Sequence, residues 1–159
     1  MENKNNDKQV VKERSGWRDE WISNRHREFG WNCPFVDVDF MGFEFDNFQT
    51  VAIVEYKHYQ ANVKLESAQM KTLRNTADKL EVPFLVVVYY PEFCCYYVIA
   101  MNQIARNLPH CDKAQFWHEQ NYVTLLYHIR GKKVPQDVMS KLQKTMVPVD
   151  FQQPKVTNF

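Results

Sequence analysis

Glu55 and Lys57 close the segment TVAIVEYK (50–57), an apolar, β-branched run that ends in a carboxylate and an ammonium two positions apart. On a strand such residues project to the same face, about 6.5–7 Å apart. Upstream, FVDVDFMGFEFD (35–46) alternates, so that Asp37, Asp39, Met41, Phe43 and Phe45 share one face. A turn over DNFQ (46–49) makes the two segments a hairpin. Pairing position 45 with about 50 sets Asp39 opposite about residue 56 and Asp37 opposite about residue 58. Carboxylates then converge at one end of a sheet, where they repel one another and are poorly solvated. A divalent cation removes that cost. Oxygen-only ligands suit Mg²⁺ or Mn²⁺, which keep waters for chemistry. One such water is a nucleophile in waiting, and the cation neutralises charge on a phosphoryl oxygen. The Lys57 ammonium orients that water or meets charge that builds on a phosphate. Asp39 and Glu55 are the principal candidate ligands, with Asp37 as a further one.

An Asp on one strand followed by Glu-x-Lys at the end of the next resembles the PD-(D/E)XK nuclease superfamily. Here the hallmark residues are Asp39 and Glu55-Tyr56-Lys57, sixteen positions on. Pro34 stands nearby but not directly before an Asp. The resemblance covers about residues 15–100. It implies a restriction-endonuclease-like core and metal-dependent cleavage of DNA phosphodiesters with Mg²⁺ or Mn²⁺. It implies a helix-borne Glu before the Asp strand, which would be Glu20, and a Gln on the helix after the Lys, which would be Gln69. Small members of that family act as homodimers. The family core also has another strand before the Asp-bearing one, whereas only seven residues separate Phe29 from Asp37. The competing reading is a non-catalytic protein that keeps such a fold and binds nucleic acid or another protein.

The elements that must position these residues follow from periodicity. Residues 1–13 lack a pattern and read as a loosely attached tail. SGWRDEWISNRHREFG (15–30) reads as a helix capped by Ser15 and stopped by Gly30, with Trp17, Glu20, Trp21 and Asn24 on one face. A second helix is expected from Asn62 to about Leu80, along a stripe of Leu65, Ala68, Thr72, Leu73, Thr76 and Leu80. FLVVVYY (84–90) has no polar alternation and suits a central strand covered on both faces. CCYYVIA (94–100) follows as a strand, then a short helix near 102–107, a strand YVTLLYHIR (122–130) and a helix near 135–146, with residues 148–159 irregular. The class is α/β (α+β): one domain over 14–147, with a mixed central sheet flanked by helices.

Composition excludes some functions and leaves others open. The formal net charge is +1 over 159 residues, so no global field marks a nucleic-acid coat protein. DNA contacts would have to be local. Arg25 and Arg27 on the first helix, and Lys64, Lys71 and Arg74 around the second, are the candidates to meet phosphates. Arg130, Lys132 and Lys133 form a weaker cluster. The four cysteines show no CxxC and no disulfide framework. His110, Cys111 and His118 match no closed zinc site. The polar N-terminus carries no signal peptide or spanning segment, so the expectation is a cytoplasmic protein in a reducing compartment, with DNA and not membrane as its partner.

Overall fold

The computed structural model describes residues 38–44, 47–142 and 154–157. By its contacts the chain divides into Met1–Val36 and Asp37–Phe159, and every described residue belongs to the second unit. Glu20, Arg25, Arg27 and Asp37, the helix expected over 15–30 and the tail expected over 1–13 lie outside the described residues.

A mixed five-stranded sheet organises this unit, in the order β1-β2-β4-β5-β6. Its strands are β1 (Phe40–Phe43), β2 (Thr50–His58), β4 (Phe84–Tyr90), β5 (Cys95–Ala100) and β6 (Gln115–His118). β1 runs antiparallel to β2, and β4 parallel to β2. β5 is antiparallel to both β4 and β6. The parallel step needs a long crossover, and residues 59–83 supply it with a short β3 (Val63–Lys64) and helix α1 (Ala68–Lys79). α2 (Gln103–Arg106), α3 (Glu119–Ile129) and α4 (Gln136–Lys141) follow. Among the described residues the architecture is α/β, and no helix there is long and apolar enough to cross a membrane.

The centre of the sheet is buried on both faces. On one, Ile53, Phe84, Val86, Val88 and Ile99 pack against Met70, Leu73 and Ala77 of α1. On the other, Ala52, Val54, Leu85, Val87 and Val98 meet Ala105 of α2 and Tyr122 and Leu125 of α3. The unbroken apolar run of β4 is the consequence, with Phe84, Leu85, Val86, Val87 and Val88 all inaccessible to solvent.

Four expectations change. Residues 122–130, rich in β-branched and aromatic side chains, are helical and not a strand. Tyr122, Leu125, Leu126 and Ile129 fall at i, i+3, i+4 and i+7, and all pack into the core. That 3.6-residue stripe overrides strand propensity because burial is worth more than intrinsic preference. The edge strand is instead QFWH (115–118). α1 starts at Ala68, where the Ser67 hydroxyl caps the Met70 amide, and not at Asn62. It buries Met70, Leu73 and Ala77, while Leu80 is exposed. Finally, Val156–Thr157, in the stretch expected to be irregular, pairs in parallel with Val63–Lys64.

One buried side chain ties the start of β4 to two helices. The Asn102 side-chain amide donates to Asp78 Oδ1 at 2.9 Å and to the Val82 carbonyl at 2.9 Å. Its Oδ1 accepts from the Phe84 amide at 3.1 Å and from the Ala105 amide, as the cap of α2, at 3.0 Å. Every hydrogen-bonding site of the amide is used, which makes a buried polar side chain tolerable. Asn102→Ala is expected to destabilise the protein by about 2–4 kcal/mol, from a lost cap and newly unpaired backbone groups. Urea denaturation, read by the shift in midpoint at constant slope, checks this.

Candidate active site

β2 emerges from the sheet beside β1 and β4, and its last residues carry the motif. The hairpin closes through Glu44 N–H to the Gln49 carbonyl at 2.9 Å, one position earlier on each strand than the 45–50 pairing expected. An irregularity between Gly42 and Phe43 then leaves Val51 without a partner. Phe40 is paired with Val54, so Asp39, one position further out, is level with Glu55 and not with residue 56. The shift of one brings the carboxylates of the two strands onto the same side, as the alternation of each strand requires. Asp39 is pinned there: its Oδ2 accepts from the Tyr56 backbone amide at 3.1 Å.

Glu55 is 1% exposed, a carboxylate inside the sheet's apolar face. The Lys57 ammonium donates to Glu55 Oε1, and Gln69 Nε2 donates to the same oxygen at 3.1 Å. Among the described residues, Glu55 Oε2 is buried without a hydrogen-bond partner. Burial pushes the Glu55 carboxyl above the usual carboxylate range. The Lys57 hydrogen bond and charge oppose that rise, the Asp39 charge adds to it, and the Asp39 backbone amide opposes it weakly. Gln69 reaches the site because Ser67 caps α1, which makes Gln69 the second residue of the helix and turns its N-terminal end toward Glu55. Asp39, Glu55, Lys57 and Gln69 are therefore brought together.

The candidate phosphate contacts divide differently. Lys64 is exposed on β3. Arg74 donates to Glu66 Oε1 at 2.9 Å, and Lys71 lies 3.8 Å from Glu66, so both charges are shared with an acid of their own unit. In the late basic cluster, Arg130 and Lys132 are held by Glu44, at 3.2 and 2.6 Å. These bonds, Arg130's first, hold the Glu44 carboxyl at a pKa of about 2. That cluster fastens the edge hairpin to the end of α3. Cys95 and Cys111 are buried free thiols, each pushed up to about 11 by burial.

Among the described residues no group of three or more His, Cys, Asp and Glu side chains is placed to hold a metal ion. The fit to a cation therefore rests, among the described residues, on Asp39 and Glu55. Two carboxylates with a buried, unsatisfied oxygen suit Mg²⁺ or Mn²⁺, which take one or two protein carboxylates and fill the remaining positions with water and substrate phosphate. No protein-family model matches the chain, and no curated protein or solved structure matches it.

The raised Glu55 pKa has a definite sign. A carboxyl with a higher pKa folded than unfolded costs nothing below the unfolded range, and its full cost appears once pH exceeds the folded value. Glu55→Gln keeps an acceptor for Lys57 and removes the charge. It is expected to raise the melting temperature at about pH 8, with the gain shrinking toward zero as pH falls to about 4. Thermal melts of both proteins in metal-free buffer across that range check it.

Proposed function

We propose that this chain is a metal-dependent nuclease that hydrolyses DNA phosphodiester bonds. The observation that carries the reading is the Glu55 carboxylate. It is buried at a sheet end with one oxygen unpartnered among the described residues, level with Asp39 on the neighbouring strand and bonded to an ammonium two residues on. A fold without use for that charge would gain stability by replacing it with an apolar side chain. The resemblance to PD-(D/E)XK nucleases rests on the same residues.

Asp39 and Glu55 would hold Mg²⁺ or Mn²⁺. When bound, the ion would neutralise charge on the phosphoryl oxygen and lower the pKa of a ligated water. Lys57 holds the Glu55 carboxylate in place and presents its ammonium to the attacking water or to the phosphate oxygens as they gain charge. Gln69, donating to the same oxygen as Lys57, helps to fix the rotamer of Glu55. Water oxygen attacks phosphorus as the bond to the leaving oxygen breaks; the proton lost by water passes to bulk solvent, and the leaving oxygen takes a proton from the Lys57 ammonium or from solvent.

Two measurements test this. Mn²⁺ is expected to raise the melting temperature of the parent protein, and Asp39→Ala or Glu55→Ala to abolish that rise while leaving a folded apo protein. If both variants respond to Mn²⁺ as the parent does, the ion binds elsewhere. Lys57→Ala is expected to retain metal and most DNA affinity but to lose cleavage rate by about 10²–10³, because its contribution is made in the transition state. Single-turnover cleavage at saturating protein, with Mg²⁺ and with EDTA as control, reads the rate. Parental cleavage by Lys57→Ala would reduce the motif to an ion pair at a strand end. DNA binding without metal-dependent cleavage would favour the non-catalytic reading.

A further inference from the structure

Across β2 from Glu55 and Lys57, the same end of the sheet carries a second feature. Phe40, Tyr56, Tyr89 and Tyr96, with Tyr90, Pro91 and Cys94, line a cleft of about 430 Å³; the Tyr90 ring itself is buried in the core on the α1 face, stacked on Tyr59 at 5.1 Å. It lies where the parallel strands β2 and β4 end, the place at which open α/β sheets receive ligands. No charged side chain lines it. Its inner wall is held from beneath. Tyr96 stacks on Tyr122 at 4.4 Å, and the Tyr56 hydroxyl is hydrogen-bonded to the Tyr122 hydroxyl. Tyr56 meets Phe40 edge-on at 4.9 Å and Tyr89 at 6.5 Å. Phe40, by contrast, is 61% exposed, a large ring on an edge strand open to solvent.

The cleft and the candidate active site are built from neighbours in the chain. Asp39 precedes Phe40, and Tyr56 stands between Glu55 and Lys57. Alternation sends each member of such a pair to the opposite face, so the two sites are separated by the thickness of a strand end. One cleft offers aromatic faces and hydroxyls; the other offers carboxylates and an ammonium. A nucleotide has this same division, a flat base on one side of its sugar and a phosphate on the other. In a blunt duplex the base is paired and stacked and cannot enter a cleft, whereas an unpaired base can stack on aromatic side chains.

We propose that the aromatic cleft takes an unpaired base of a DNA strand whose adjacent phosphate lies at Asp39, Glu55 and Lys57. This rests on the nuclease reading and names its substrate class: DNA with a single-stranded segment at the cleaved bond. Phe40 and the tyrosines hold the base without reading its sequence, because every base has a π face. The separation of the two sites selects the unpaired strand.

The test is fluorescence anisotropy with a labelled single strand and a blunt duplex of equal length, in Ca²⁺, paired with cleavage of both in Mg²⁺. The parent is expected to bind the single strand roughly tenfold or more tightly than the duplex. Phe40→Ala is expected to weaken single-strand binding about 5- to 150-fold, and to leave duplex binding within about twofold. Phe40→Trp, which restores an aromatic face, is expected to recover it. Because the Phe40 ring is largely exposed, truncation leaves the core intact, and an unchanged far-UV spectrum confirms that. Equal affinity for single strand and duplex overturns the proposal, as does single-strand binding insensitive to Phe40→Ala. The two readings separate cleanly. Phe40-dependent single-strand binding with no cleavage supports the cleft and ends the nuclease assignment. Equal cleavage of both DNA forms, unchanged in Phe40→Ala, leaves the nuclease standing and removes the cleft.

Discussion

A carboxylate buried at the end of a strand is the constraint around which the rest of this structure is arranged. Glu55 sits in line with Ile53 on the face that packs against α1, where its apolar neighbours give its charge no solvation. Left alone, such a group would take a proton or be replaced. Here Lys57 and Gln69 both donate to one of its oxygens, and the second oxygen is left without a partner among the described residues. A half-satisfied buried carboxylate is expensive as a structural element and useful as a ligand. The elements around it serve that arrangement: the Ser67 cap brings Gln69 to it, and the register of the hairpin sets Asp39 level with it.

The sheet provides rigidity at the same point. β2 is flanked on both sides, by β1 and by the buried β4, and α1 covers one face while α2 and α3 cover the other. Asn102 links the end of α1, the start of β4 and the cap of α2 through four hydrogen bonds. Glu44, held by Arg130 and Lys132, fastens the hairpin that carries Asp39 to the end of α3. The edge strand β1 is therefore anchored close to its turn, while its other end, bearing Asp39 and Phe40, faces the ends of β2 and β4. Strand alternation divides that end into a charged side and an aromatic side, and a substrate that spans both must be thin enough to cross one strand.

Some of this was legible from residue types and spacing alone. Alternation placed Glu55 with Lys57 and Asp39 with Met41, because the period of a strand is set by covalent geometry and does not depend on neighbours. The apolar run 84–90 identified a central strand for the same kind of reason: a strand covered on both faces has no polar positions. The short helix near 102–107 was also visible, although its Asn102 cap was not.

What tertiary structure alone decided were the features that depend on a partner element. The register of β1 on β2 hinged on where the hairpin closes and on an irregularity at Gly42–Phe43, and a turn at either position is compatible with the same residues. The helical state of 122–130 was written in the spacing of Tyr122, Leu125, Leu126 and Ile129, but strand-favouring residue types masked it until the opposite face of the sheet supplied something to bury them against. α1 starts later than expected, at the Ser67 cap, and the face it buries is Met70, Leu73 and Ala77, chosen by the sheet it packs against. Nor could spacing show that Arg74, Arg130 and Lys132 are engaged by Glu66 and Glu44, since partners eight to eighty-eight residues away meet only when the chain folds. The chain by itself determined which side chains alternate and which groups are capable of chemistry. Only the packed sheet decided that one carboxylate is buried, with one oxygen unpartnered among the described residues, because desolvation is a property of the surroundings and not of the residue.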